Sequence, residues 1–296
     1  MIVITGATGA LNGATVDHLL KRIDPDRVAV TVRDLERGEP FARRGVQVRR
    51  ADYADPESLP AAFEGADQLL LVSSNDRGAD TLALHGAAID AAVRAGIGRL
   101  LYTSHQGATP RSPFAPARVH AATEALLAQC GLPWTSLRNG FYAHTLRFLI
   151  PQWADSGQIV VPADGPVSWT DRGDLAEAAA LIVASEGAYE GPVTLTAGEA
   201  PTFLDIAAMA AEVSQRPVAR VLVDPDAWVL EQVAHGQPEP AARFSLGIFE
   251  AAHAGLFATV DPLLPALLGR KARSVQQLLE DQGRHPSPAA TPSAPR

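Results

Sequence analysis

From residue 1 to about 140 the chain repeats one unit: a short β-branched or Leu-rich run, a turn, and an Ala/Leu segment of helical period. The strand-like runs fall at residues 2–5, 28–32, 46–50, 68–73, 99–104 and 134–137, with helical segments at 10–22, 35–44, 56–63, 79–95 and 116–130. Several runs are apolar throughout, as strands covered on both faces must be. Parallel neighbours need a crossover, and crossovers are almost always right-handed. The repeat therefore predicts an α/β fold of Rossmann type, a doubly wound parallel sheet.

Beyond Gly140 the alternation is lost. A helix is expected at 142–155, a short strand at 158–161, a helix at 174–185, strand-like runs at 193–196 and 218–223, and three further helices. Residues 1–140 read as a nucleotide-binding core and 141–284 as a smaller mixed α/β part on the substrate side. The Pro/Ser/Ala-rich residues 285–296 read as a disordered tail.

Composition removes several alternatives. The 25 basic and 33 acidic residues leave a formal charge of -8 with the acids scattered, which argues against a nucleic-acid surface. The single cysteine, Cys130, excludes an intrachain disulfide and a zinc site of several thiolates, so a reducing compartment, the cytoplasm, is expected. The histidines are too dispersed to suggest a metal site. No basic leader precedes the apolar run at 2–5, and no run approaches the roughly 20 residues of a membrane span, so neither export nor membrane insertion is expected. A symmetric homodimer is the base-rate expectation for assembly.

The strongest local signal is Thr5-Gly6-Ala7-Thr8-Gly9-Ala10-Leu11-Asn12-Gly13, between the first strand and the first helix. Glycine there lets the backbone turn tightly and approach a diphosphate, while the free amides and dipole of the helix start attract its charge. A glycine-rich turn without ligand is the bland alternative. Its place as the first βα turn of the series favours a dinucleotide.

This turn is followed, in order, by Val32-Arg33-Asp34, Ala51-Asp52-Tyr53, Leu69-Leu70-Leu71-Val72-Ser73-Ser74, Tyr102-Thr103-Ser104, His120-Ala121-Ala122-Thr123-Glu124 and Leu137-Arg138-Asn139-Gly140-Phe141-Tyr142. Together these segments resemble the NmrA-like, atypical short-chain dehydrogenase/reductase family, and within it the NAD(P)H:quinone oxidoreductase and triphenylmethane reductase type. The resemblance covers nearly the whole chain. It implies cofactor contacts from Gly6, Thr8, Gly9, Ala10, Leu11 and Asn12 in the turn, and from Arg33 after the second strand. Asp52 and Tyr53 would flank the adenine, and Ser73, Ser74, Thr103 and Ser104 would lie along the nicotinamide half. One position departs from the family pattern: Asn12 stands where the third glycine belongs, and Gly13 follows one place late. Its side chain would either crowd the nucleotide or the sheet, or hydrogen-bond a phosphate.

In the resembling family an arginine at the place of Arg33 goes with NADP(H), and a guanidinium-to-phosphate contact is worth roughly 1.5 to 3 kcal/mol. NADP(H) is therefore favoured over NAD(H). The other reading leaves Arg33 solvated and gives the ribose to Asp34.

The usual short-chain dehydrogenase mechanism needs a tyrosine whose phenol is made acidic by a lysine four residues on. Here Tyr53, Tyr102, Tyr142 and Tyr189 are followed at that spacing by Glu57, Gln106, Leu146 and Val193, and the chain's two lysines are Lys21 and Lys271. Alcohol dehydrogenase or epimerase chemistry is thereby excluded. His120 and Glu124, one helical turn apart, would face each other within hydrogen-bonding range. His120 and Tyr142 are the candidates for a direct catalytic role. A quinone or cationic dye accepts hydride readily and takes its proton from water, so the protein need only align it. Such a ring would meet Asn139, Gly140, Phe141, Tyr142 and His144, with His105 and Trp169 as further pocket candidates. The expected function is a NAD(P)H-dependent reductase of a quinoid or aromatic acceptor. The competing one is a non-catalytic NADP(H)-sensing protein that docks on a regulator.

Overall fold

The computed structural model describes residues 1–74, 76 and 78–284. Its strands are β1 (Ile2–Ile4), β2 (Val28–Val32), β3 (Gln47–Arg50), β4 (Gln68–Leu71), β5 (Arg99–His105), β6 (Trp134–Asn139), β7 (Phe141–Tyr142), β8 (Gln158–Val161), β9 (Trp169–Thr170), β10 (Gly191–Leu195) and β11 (Ala219–Leu222). Seven of them form one sheet in the order β10-β6-β5-β4-β1-β2-β3, every pair parallel. The chain winds outward from β1 to β3, then returns to lay β4 on the other flank of β1. Winding reverses between β1 and β4, where open α/β sheets bind their ligands.

Alternation within the apolar runs decides which helices cover which face. Ile2, Ile4, Val28, Val30, Leu70 and Leu101 pack under the helices Ala10–Leu19 and Arg172–Ala184. Val3, Ala29, Leu69, Leu71, Leu100 and Tyr102 pack under Leu59–Phe63, Thr81–Arg94 and Ala115–Gln129. Each fully buried aliphatic side chain contributes about 1.5–3 kcal/mol relative to exposure, which sets this register firmly.

Local expectations fail where a close approach or a proline intervenes. The helix expected at 35–44 shrinks to a 3-10 turn, Leu35–Gly38, and one α-turn, Glu39–Ala42. Gly38 presses on β3, where a Cβ would come 2.3 Å from Val48 Cγ1. The segment at 56–63 likewise divides into Pro56–Ser58 and Leu59–Phe63. The helix expected at 142–155 is broken: Tyr142 belongs to β7, and only Leu146–Leu149 and Trp153–Ser156 are α-helical, with Pro151 interrupting the ladder between them.

The later residues build a second core around Phe114, Phe141, Trp169, Phe203, Trp228, Phe249 and Phe257, beside the two-stranded pairs β7·β9 and β8·β11. Among the described residues five helices follow β10 rather than three: Phe203–Ser214, Pro225–Ala234, Glu239–His253, Leu263–Leu268 and Val275–Arg284. A division at residue 140 does not describe the sheet, because the helix Arg172–Ala184 covers it and β10 extends it, pairing with β6 from Gly191↔Thr135 to Leu195↔Asn139. Residues 285–296, expected as a tail, lie outside the described residues. Among the described residues no helix is long and apolar enough to cross a membrane, and no group of three or more His, Cys, Asp or Glu could hold a metal ion.

Candidate active site

The glycine-rich turn leaves β1 at the point where winding reverses. Gly6 has φ +61°, and a Cβ there would lie 2.5 Å from Cγ1 of Val72, just past β4. Conformation and space both require glycine. The Gly6 carbonyl accepts the Gly9 N–H at 2.9 Å, and Gly9 caps the helix Ala10–Leu19, whose first turn carries neither a side-chain cap nor an acidic residue. Thr8, Gly9 and Ala10 are exposed and Leu11 half-buried. The amides of Ala10, Leu11 and Asn12 have no carbonyl one turn behind them, so the positive end of the helix is bare at the carboxyl edge of the sheet. A diphosphate fits that geometry.

Asn12 follows neither expectation. Its side chain is 1% exposed and its Nδ2 donates to the Thr5 carbonyl at 2.8 Å, tying the helix to the end of β1. The side chain thus neither crowds the sheet nor reaches for a phosphate. Close approach is served one place later, where a Cβ on Gly13 would come 2.8 Å from the Ala7 carbonyl oxygen. Asn12 Oδ1 is buried without a partner among the described residues.

Two neighbours brace the turn. Thr5 Oγ1 accepts the Val72 N–H at 2.8 Å, and the Tyr53 hydroxyl lies 2.6 Å from Thr5 Oγ1 while donating to the Val72 carbonyl at 3.1 Å. Burial pushes the Tyr53 phenol well above its usual range, although both hydrogen bonds work against that rise. The phenol oxygen is therefore committed inward. Asp52 is half-buried and Oδ1 accepts the Ala54 N–H at 3.0 Å. Past β2, Asp34 Oδ1 accepts the Glu36 N–H at 3.0 Å and caps its own turn. Arg33 is exposed and has no ion-pair partner among the described residues.

At the ends of β4 and β5, Ser73 N–H donates to Thr103 Oγ1 and Ser74 N–H to His85 Nε2, both at 2.8 Å. His85 was not foreseen; its only trace in the sequence is a polar residue on the buried face of Thr81–Arg94. Because Nε2 accepts, Nδ1 must carry the proton, and it lies 2.8 Å from Thr123 Oγ1. Burial lowers the His85 pKa to about 4.

Two side chains in this region have partners that the sequence did not suggest. The Ser104 hydroxyl is engaged within the protein: it donates to Glu124 Oε1 at 2.8 Å, as Ser136 does at 2.6 Å, while Arg138 Nε and Nη2 reach the same carboxylate at 3.0 and 2.5 Å. Burial pushes Glu124 up, but the hydrogen bonds from Arg138, Ser136 and Ser104 together leave it below the usual carboxylate range. His120 does not meet Glu124. His120 Nδ1 lies 2.8 Å from the Tyr102 hydroxyl, and burial lowers its pKa to about 4 while raising the Tyr102 phenol.

The end expected to meet an acceptor begins at Asn139, buried with Oδ1 unpartnered among the described residues. Gly140 N–H donates to the Leu195 carbonyl at 2.7 Å, and a Cβ there would lie 2.0 Å from Thr170 Oγ1, so glycine is what lets β7 pass beside β9. Phe141 and Trp169 are corrected from pocket to core. Both are buried, and the Phe141 ring stands 5.2 to 5.7 Å from those of His105, Phe114, Trp169 and Phe257. His105 accepts the Gly107 N–H at Nδ1, 3.0 Å away, and burial lowers its pKa to about 3. Tyr142 and His144 remain, half-buried and stacked with centroids 5.7 Å apart and planes at 21°. Burial raises the Tyr142 phenol, and burial with Arg172 and Arg147 lowers His144.

Residues 1–251 match the NmrA-like family. Quinone oxidoreductase 2 of Escherichia coli K12 is 36% identical over 200 residues, covering 67% of this chain and 69% of that protein. Among solved structures, the E. coli NADPH-dependent quinone oxidoreductase QOR2 complexed with NADPH has a TM-score of 0.88 at 29% identity, over 96% of this chain and 100% of that one. The Citrobacter sp. triphenylmethane reductase complexed with NADP(H) has a TM-score of 0.85 at 33% identity, over 95% and 99%. A family match across 251 of 296 residues, with a fold that superposes on these two reductases over 95% or more of the chain, means that the chain belongs to the NmrA-like family.

Proposed function

We propose that this chain is an NADPH-dependent oxidoreductase that passes hydride to a quinone or a related electrophilic aromatic acceptor. One observation carries the reading: β1, β4, β5 and β6 are consecutive neighbours in the sheet. Their carboxyl ends therefore set the bare phosphate turn, Ser73 and Ser74, Thr103, and the Tyr142–His144 stack in a row. A dinucleotide fits along such an edge. The amides of Ala10, Leu11 and Asn12 would receive its diphosphate, unpaired Arg33 its 2′-phosphate, and the ends of β4 and β5 its nicotinamide half. NADPH supplies the hydride. The Tyr142 and His144 rings offer a flat surface to a planar acceptor.

The protein's own proton chemistry is muted, which selects the acceptor class. Tyr53 and Tyr102 hold their phenols in buried hydrogen bonds with raised pKa values, and His85, His105 and His120 are neutral at pH 7. Alcohols and ketones need a proton exchanged at oxygen; quinoid rings take theirs from water. Alignment over the nicotinamide is then the main contribution, worth about 7–11 kcal/mol where geometry is good. We place the reaction in the cytoplasm, where a lone thiol such as Cys130 stays reduced.

The test is turnover. Purified protein should consume NADPH when naphthoquinone or a triphenylmethane dye is added, and NADH more slowly. The regulatory reading, in which the chain senses NADP(H) and docks on a regulator, predicts tight binding with no consumption across the same panel.

A further inference from the structure

Beyond Gly140, β7 and β9 run side by side in parallel, with Phe141 paired to Trp169 and Tyr142 to Thr170. Both segments leave this ribbon in the same direction, and the residues two places on, His144 and Arg172, lie within electrostatic reach of each other. Arg147, one helical turn past His144, joins them. Neither arginine has a carboxylate partner among the described residues. Arg147 lies over its neighbour Phe148, Cζ 4.5 Å from the ring centroid.

The carboxylates nearest Arg172 in sequence are already engaged. Asp171 Oδ1 accepts the Gly173 and Asp174 amides at 2.7 and 3.2 Å, and its Oδ2 lies 3.7 Å from Arg273. Asp174 accepts the Arg273 N–H at 2.7 Å and pairs with Arg270 at 2.8 Å. His144 Nδ1 is buried and unpartnered among the described residues. In a chain of net charge -8, two unpaired guanidinium groups concentrate positive potential beside the Tyr142–His144 stack, where the His144 Nδ1 is left without a partner among the described residues. Burial first and then both arginines depress the basicity of His144, which puts the arginines within electrostatic reach of it, while Asp171, engaged as described, opposes them.

We propose that Arg147, Arg172 and His144 form an anion-recognising subsite, and that the preferred acceptor is a quinoid or aromatic ring bearing a sulfonate or carboxylate. This rests on the reductase reading of the same edge. The ring stacks at Tyr142 while its acidic substituent takes charge-assisted hydrogen bonds from the guanidinium forks. Arg33 is separate from this subsite, since β2 lies across β1 from β4, β5 and β6.

The experiment compares naphthoquinone with naphthoquinone sulfonate in the wild type, in Arg147→Gln/Arg172→Gln and in Arg147→Lys/Arg172→Lys. Added salt should raise KM for the sulfonate and not for the neutral ring. The Gln variant should lose kcat/KM for the sulfonate by about tenfold or more beyond its loss for the neutral quinone, and the Lys variant should keep most of the preference. Naphthalene sulfonate, titrated by intrinsic fluorescence, should bind the wild type and be lost from the Gln variant in step. Equal losses for both quinones, or unaltered sulfonate binding in the Gln variant, would overturn the subsite. So would a rise in the NADPH dissociation constant that accounts for the whole effect, since the arginines would then serve the cofactor's diphosphate. If neither quinone oxidises NADPH, the reductase reading fails, while the naphthalene sulfonate titration still decides the subsite.

Discussion

The two ends of the carboxyl edge, proposed above for phosphate and for acceptor, offer different groups for recognition. At the phosphate end the side chains of Thr5, Asn12 and Tyr53 all turn inward, and what faces out is backbone: exposed Thr8, Gly9 and Ala10 ahead of a bare helix start. At the acceptor end the backbone is consumed by the pairings of β6 with β10 and of β7 with β9, and the polar atoms left over belong to side chains. A backbone site tolerates side-chain exchange so long as no Cβ intrudes, which explains how Asn12 can replace a glycine. A side-chain site changes its preference with each substitution.

Breaking the phosphate end should have the largest effect. Gly6→Ala forces a Cβ to 2.5 Å from Val72 Cγ1 at φ +61°, combining about 1–2 kcal/mol of left-handed strain with about 1–3 kcal/mol of overpacking. NADPH affinity by calorimetry should fall about 30-fold or more, and Val72→Ala in the same chain should restore only the steric part.

The braced middle of the edge predicts sensitivity to acid. His85 binds a proton more readily unfolded, near pH 6.5, than folded, near pH 4, so stability is full above 6.5 and declines as pH falls toward 4. His85 alone accounts for up to about 3 kcal/mol, and His105 and His120 act in the same direction. Urea midpoints at pH 7 and 5 measure it. His85→Phe should be less stable at pH 7 and less sensitive to acid, because Ser74 N–H loses its acceptor while the titrating ring is gone.

Substitutions at single polar contacts sharpen the contrast. Arg33→Ala should shift the NADPH-over-NADH ratio of kcat/KM by roughly 10- to 150-fold, the equivalent of about 1.5–3 kcal/mol for a charge-assisted contact, with NADH kinetics unmoved. Asn12→Gly removes one buried bond to the Thr5 carbonyl, a stability loss of about 1 kcal/mol, and should leave the NADPH dissociation constant within about threefold. A tenfold tightening would show that the amide obstructs the nucleotide after all.

The same contrast explains what could be read from the residues alone. Val3 against Ile2 and Ile4, or Leu70 against Leu69 and Leu71, carry the sheet in local pattern, and the turn at Gly6 and Gly9 is local too. Phe141 looked like a ring for stacking, yet its partners Phe114 and Phe257 stand 27 residues before and 116 after it, and no nearby pattern announces that cluster. Arg172 is hidden in the same way, reaching His144 only through the pairing of Tyr142 with Thr170. Ser104 and Glu124 were visible as neighbours of the site, but not the convergence of Ser136 and Arg138 on that carboxylate.

Because β10 comes back to lie against β6, with Leu195 opposite Asn139, residues 140–171 form an excursion that leaves from β6 and ends at the helix Arg172–Ala184, which covers the sheet. Such a segment breathes without unzipping the sheet that holds it. Amides of Leu146–Leu149 should exchange with deuterium far sooner than those of β6, whose pairing with both β5 and β10 shields them. That exchange pattern would mean that holding a nucleotide and accommodating differently shaped rings are mechanically separable in this fold.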